Sequence, residues 1–289
     1  MSGLAARVGT LLVQAPHRKG IVSSLAQVLN GHGATLLDSN HYSDSAAGMF
    51  FQRIQFDLAS ITSDHRAALE WGLREIGLQY GMAWRIWYGD RMRRVAIFTS
   101  KQEHCLYDLL IRHRAGELGC EITMVISNHP DAGPVARHFG VPFYLLPITA
   151  ETKPQQEAAA ANLIDSAGVD LIVLARYMQI LSPRFVARYP SRIINVHHSF
   201  LPAFIGANPY RQAHERGVKM IGATSHYVTS ELDQGPIIEQ ATVRCAHRDS
   251  VDDLVRKGRD LEKQVLAAAV RWHLDDRVMV HAGKSVVFD

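Results

Sequence analysis

Between Val95 and Val196 the sequence sets out a series of short, nearly unbroken apolar runs: Val95 to Thr99, Ile122 to Ser127, Phe143 to Leu146, Leu171 to Leu174 and Ile193 to Val196. A strand with one wet face alternates apolar and polar residues, whereas an unbroken run marks a strand covered on both faces. Enough chain separates successive runs to form a helix, which is the spacing of βαβ units. The pattern therefore predicts an α/β unit with an open, mostly parallel sheet. Beyond it come an apolar segment, "GPIIEQATV", and a long helix from about Val251 to His273. A last hairpin, "RVMVHAGKSVVF", turns at Ala282-Gly283.

The first 88 residues follow a different rhythm: strand, helix, strand, strand, helix, strand. Val8 to Val13 reads as a strand that "APHRKG" turns into a helix from about Ile21 to Leu29, ended by Gly31 and Gly33. Thr35 to Tyr42 and Met49 to Leu58 pair around "SDSAAG". Ser63 is placed to cap a helix running to about Gln79, and Met82 to Tyr88 closes the set. Such a unit makes an antiparallel sheet with both helices on one face. The polar stretch "GDRMRR" is the expected linker, giving domains at 1–88 and 95–289 joined by 89–94.

With 47% hydrophobic and 20% charged residues, the composition is that of an ordinary soluble globular protein. A formal net charge of +3, with acids and bases mixed, leaves no footprint for nucleic acid or a membrane surface. Three unpatterned cysteines, Cys105, Cys120 and Cys245, suit a reducing cytoplasm rather than a disulfide framework. The start of the chain is expected to carry no secretory leader, and no stretch approaches the roughly 20 apolar residues of a membrane span.

Chemistry concentrates where the last apolar run gives way to "INVHHSFLPAFIGANPY". If the strand continues, Asn195, His197 and Ser199 share one face while Val196 and His198 take the other. Ligands of open parallel sheets sit beyond the carboxyl ends of the strands, where these residues fall. Taken singly, each reads as a helix or turn cap; as a set, they face a crevice. A zinc site at His197-His198 is not expected, because adjacent strand residues point apart and no H-E-x-x-H or C-x-x-C accompanies them. Further on, "GATSHYVTSELDQGPIIEQ" carries Asp233 just before a Gly-Pro turn. An Asn, a His and an Asp at strand ends suit acyl chemistry without a covalent intermediate. The amide donates to an oxyanion, the imidazole moves protons, and the carboxylate orients the imidazole or a water. There is no G-x-S-x-G elbow or Walker loop. "GHGATLL" follows a helix and precedes a strand, the reverse of a dinucleotide fingerprint.

The long stretch from "NVHHSFLP" to "LDQGPIIEQ" resembles the signature region of the 10-formyltetrahydrofolate-dependent formyltransferase fold. With the N-terminal unit, which resembles an ACT domain of ferredoxin-like βαββαβ form, it is most similar to the formyltetrahydrofolate deformylases. The resemblance implies hydrolysis of 10-formyltetrahydrofolate to tetrahydrofolate and formate on a Rossmann-like catalytic domain. Asn195, His197 and Asp233 would be the catalytic trio, with no cofactor and no metal. It places Met178, Gln179 and Leu181 of "LARYMQILSP", with Val228, around the folate, and gives Ser199 and His198 supporting roles. It also implies a small amino-acid effector near Arg18, Lys19 and Gly20, and a homo-oligomer. Related glycinamide ribonucleotide formyltransferases hold a substrate phosphate on a Gly-Ser-Asn loop. Here the matching stretch is "FTSKQEHCLYDLL", with Glu103 and no glycine, which would repel a phosphate. A methionyl-tRNA formyltransferase is not expected either, since its extra domain and basic surface are absent. Two other readings remain open: formyl transfer to an unphosphorylated amine, or a non-catalytic folate- or amino-acid-binding regulator.

Overall fold

The computed structural model describes residues 8–203 and 209–289, apart from the side chain of Ser63. The chain divides into two compact units, one reaching Met92 and including Phe288 and Asp289, the other Arg93–Val287. In the first, β1 (Val8–Pro16), α1 (Ile21–Gly31), β2 (Thr35–Asp44), β3 (Met49–Asp57), α2 (Ser63–Tyr80) and β4 (Ala83–Tyr88) follow in order. The four strands form one sheet in the order β2-β3-β1-β4, with every pairing antiparallel. Leu11, Val13 and Ala15 of β1 share a core with Leu25 and Leu29 of α1 and Leu69 and Leu73 of α2, so both helices lie on one face. The second helix is capped one residue earlier than the sequence suggests: Thr62 Oγ1 accepts from the His65 backbone N–H.

The second unit is built on a seven-stranded sheet. Its elements are β5 (Arg93–Thr99), α3 (His104–Arg114), β6 (Cys120–Ser127), α4 (Gly133–His138), β7 (Phe143–Leu145), α5 (Lys153–Ser166) and β8 (Leu171–Leu174). Then come α6 (Pro183–Arg188), β9 (Ile193–His197), α7 (Pro209–Glu215), β10 (Met220–Tyr227), β11 (Ile237–Arg244) and α8 (Val251–Leu274). Strand order is β11-β10-β9-β8-β5-β6-β7. The predicted apolar runs are the parallel strands. β5, β6, β8 and β9 carry a core on each face as their unbroken character requires, whereas β7, at the sheet edge, leaves Tyr144 and Leu145 exposed. β10 runs antiparallel to both β9 and β11. The predicted terminal hairpin forms from β12 (Val278–His281) and β13 (Lys284–Val287), turning where Ala282 and Gly283 both have positive φ.

From β5 the chain runs outward through β6 and β7, then returns to build β8 and β9 on the other side. Loops leaving β5 and β8 therefore diverge at their carboxyl ends and open a crevice there. Ser100, just after β5, holds the crevice edge. Its hydroxyl donates to Asn128 Oδ1 at 2.7 Å and accepts from the Met178 backbone N–H at 3.0 Å. Among the described residues, no helix is long and apolar enough to cross a membrane.

Candidate active site

The antiparallel pairing of β9 with β10 brings polar residues far apart in sequence side by side. Asn195 lies opposite His226, and His197 opposite Thr224. Asn195 Nδ2 is 3.3 Å from His226 Nε2, while His226 Nδ1 is 2.9 Å from the Tyr227 carbonyl oxygen. A carbonyl only accepts, so Nδ1 carries the proton. The Asn195 amide lies against Nε2 of the same ring.

Asp233 follows β10 in a loop that returns to the strand, its backbone at φ 56°. One carboxylate oxygen lies 3.2 Å from His197 Nδ1 and the other 3.6 Å from His226 Nε2. Burial makes this carboxyl harder to ionise, but hydrogen bonds and charge from the two imidazoles outweigh it. Asp233 is thereby held well below the usual carboxylate range. With Nδ1 committed to Asp233, His197 points its other nitrogen, buried and without a protein partner, away from the pair. The loop closes only because Gly235 lacks a side chain: a Cβ there would stand 1.7 Å from the Tyr227 carbonyl oxygen. Tyr227 N–H bonds the Pro236 carbonyl at 2.9 Å across that approach.

A cleft of about 610 Å³ opens over these groups. Met178, Gln179, Leu181 and Val228 line it beside Asn195, His197 and Asp233, so the structure brings these sequence candidates together. Because the Met178 N–H is committed to Ser100, that amide is not free for a ligand. Ser199 lies outside the cleft lining. Its hydroxyl donates to the Ala203 carbonyl at 2.7 Å, bracing the turn after β9. The expectation that His198 faces away from His197 is corrected: their rings stack with centroids 5.0 Å apart, and both line the cleft. β9 ends at His197, so strand alternation stops there. Residues 204–208 of the quoted signature lie outside the described residues.

Burial lowers the His198 pKa to about 4, helped by the nearby charges of Arg176 and His197. Its ring is neutral in the folded protein but protonated in the unfolded chain below the ordinary value of 6.5. Protons therefore favour unfolding, and stability falls as pH drops from about 6.5 toward 4. The expected loss at pH 4 is about 3 kcal/mol. Denaturant midpoints across that range should show it, and His198→Gln should flatten the slope. An equally steep slope in that variant would disprove the assignment.

A second polar set on the cleft wall was not legible beforehand. Glu262 of α8 is 1% exposed, yet receives the Tyr210 hydroxyl at 2.7 Å and His104 Nε2 at 2.7 Å, with Arg176 Nε at 3.5 Å. Arg176 Nε also donates to Gln102 Oε1 at 3.1 Å. Burial disfavours the Glu262 anion, but these donors outweigh it and keep the acid below its usual range. Among the described residues, His104, Cys105 and Glu262 form a group with ligand atoms within 4.8 Å of one another. The Arg176 guanidinium shares the space, and burial pushes the Cys105 thiol far above its usual range, so the donor set does not suit a cation. The effector candidates Arg18, Lys19 and Gly20 belong to the N-terminal unit. All three are exposed, and Gly20 at φ 95° precedes α1.

The formyl transferase family matches residues 93–270. A formyltetrahydrofolate deformylase of Bacillus subtilis is 48% identical over 282 residues, 97% of this chain and 94% of its own. The crystal structure of a formyltetrahydrofolate deformylase from Pseudomonas syringae superposes with a TM-score of 0.94 at 44% identity, covering 100% of this chain and 96% of that one. Glycinamide ribonucleotide transformylase 1 from Symbiobacterium toebii is more distant: TM-score 0.65 at 33% identity, covering 68% of this chain and 95% of its own.

Proposed function

The chain belongs to the formyltetrahydrofolate deformylases, and from that premise we propose how its own residues carry the reaction. It hydrolyses 10-formyltetrahydrofolate to tetrahydrofolate and formate. The catalytic residues are Asn195, His197 and Asp233. The observation that carries this reading is the placement of Asp233 against His197 Nδ1, with the opposite ring nitrogen unpartnered beside the cleft. As an imidazolium supported by the carboxylate, His197 presents Nε2–H to the formyl oxygen, and Asn195 supplies a second donor. Asp233 holds the attacking water and relays its proton toward N10 as the tetrahedral intermediate forms and collapses. When the bond from carbon to N10 breaks, N10 takes up that relayed proton and formate leaves. The folate lies along Met178, Gln179, Leu181 and Val228, with the exposed side chains of Met178 and Leu232 offering apolar contact. Release of formate by the full-length protein without any acceptor amine tests the reading. An absolute requirement for an amine would favour a transferase.

No metal or cofactor enters this scheme, since imidazole, amide and carboxylate supply the proton transfers and the oxyanion donors. Exhaustive dialysis against a chelator is expected to leave turnover unchanged. A stoichiometric zinc whose removal abolishes activity would contradict the scheme.

Residues 1–88 act as an ACT-like regulatory and dimerisation domain, residues 89–94 as linker, and residues 95–289 as the catalytic domain of a cytoplasmic homo-oligomer. Support comes from the βαββαβ order and from the turn at Gly20, whose following helix offers free N–H groups beside Arg18 and Lys19 for a carboxylate. An effector acts only through different affinities for active and inactive arrangements, typically about 1 to 3 kcal/mol of coupling. Titrating glycine, serine and methionine into the full-length protein should therefore shift its apparent affinity for 10-formyltetrahydrofolate about 5- to 150-fold for the cognate amino acid. No response to any of them would leave dimerisation as the domain's role.

A further inference from the structure

Hydrolysis and formyl transfer differ only in the nucleophile. In both, an oxygen or nitrogen attacks the formyl carbon, the bond to N10 breaks, and N10 takes up a proton. A hydrolase must therefore keep amines away from the carbon while admitting water, and the wall of the cleft beyond His197 offers the means. His198 stacks on His197, the Tyr210 ring lies 6.4 Å from His198, and the Tyr210 hydroxyl is bonded to Glu262. The ring is seated against α8 at Gly258, where a Cβ would stand 2.1 Å from both Cζ and the hydroxyl oxygen of Tyr210. Glycine is unfavourable in the middle of a helix, and here its missing side chain is what admits the ring. Glu262 in turn is fully engaged by His104, Tyr210 and Arg176, so its carboxylate is not free to receive an incoming ammonium.

We propose that Tyr210, seated on Gly258 and anchored by Glu262, fills the space in which an acceptor amine would otherwise bind, so that only water reaches the formyl carbon. This rests on the deformylase reading above, with the folate along Met178 and Val228. Tyr210 is a specificity-determining residue that reads nucleophile size. A cavity the size of a tyrosine ring separates water from small amines by shape, which is the discrimination a packed wall can achieve.

The test uses the full-length protein and 10-formyltetrahydrofolate with hydroxylamine or glycinamide present, measuring formate and the N-formyl product together. The ratio of the two products reports nucleophile selection and is not moved by general destabilisation. Wild type should yield formate with either amine. Tyr210→Ala should raise the N-formyl share at least about tenfold. Gly258→Ala should do the same by displacing the ring, and alanine favours the helix, so α8 holds. Tyr210→Phe keeps the ring in place and should keep the wild-type ratio. Formate alone from Tyr210→Ala and Gly258→Ala would overturn the proposal. So would a wild type that delivers most of its formyl group to glycinamide, a result that stands even where a variant does not fold. A wild-type protein that releases no formate without an amine would instead fail the deformylase reading itself.

Discussion

Replacing Asp233 by asparagine is expected to lower turnover about 10²- to 10³-fold while the protein stays folded and binds folate. The substitution is chosen for its backbone as well as its charge. Asp233 sits at φ 56°, a region that asparagine enters as readily as aspartate, so the loop keeps its path. What is lost is the anion 3.2 Å from His197 Nδ1 and the group that takes the proton of the attacking water. The neutral amide still reaches His197, but it neither favours the imidazolium nor accepts that proton. Asn195→Ala should produce a loss of similar size by removing an oxyanion donor, and it also frees His226 Nε2, the present partner of that amide. Steady-state kinetics with folate affinity measured separately give the answer; near-normal turnover in either variant would sink the trio.

The second large effect concerns stability. Glu262→Ala should cost about 3 to 5 kcal/mol, because breaking a buried ion-paired set leaves the surviving charge uncompensated. The Arg176 side chain is 8% exposed and lies 3.5 Å from the lost carboxylate, while Tyr210 and His104 both surrender an acceptor. Glu262→Gln keeps the shape and one acceptor oxygen, so it should fall between the two. Denaturant titrations of all three proteins would measure the order, with the slope checked for constancy so that a midpoint shift reads as stability. A loss below about 1 kcal/mol in the alanine variant would show that the network does not hold the wall.

β5, β6, β8 and β9 were legible because burial on both faces writes itself as unbroken apolar runs. β10 was not, and the reason is chemical. Thr224, Ser225 and His226 are all buried in it, so a central strand reads as a polar loop. Thr224 earns its place through its hydroxyl, which donates to the Ser199 carbonyl and accepts from the Leu201 N–H and Gln240. Asn195, His197 and Asp233 stood out as polar residues at strand ends, yet their meeting depends on the pairing of β9 with β10, which no spacing rule provides. Glu262 left a fainter trace: it falls four residues after Gly258 and next to Leu261, on the stripe that α8 buries. A lone carboxylate on such a stripe implies buried partners, but these come from three separate segments, around residues 104, 176 and 210. Strand alternation failed at His198 because the strand had already ended.

The close approach at Gly235 also bears on how distant sequences should be sorted. A chain can carry an asparagine, a histidine and an aspartate at matching intervals and still be unable to bring the third to the other two. Any side chain two positions after the aspartate would be driven into a strand carbonyl 1.7 Å away, and the loop would have to swing off the sheet. The glycine of D-x-G-P is thus a steric entry condition, and an otherwise matching sequence with alanine there is expected to lack the activity.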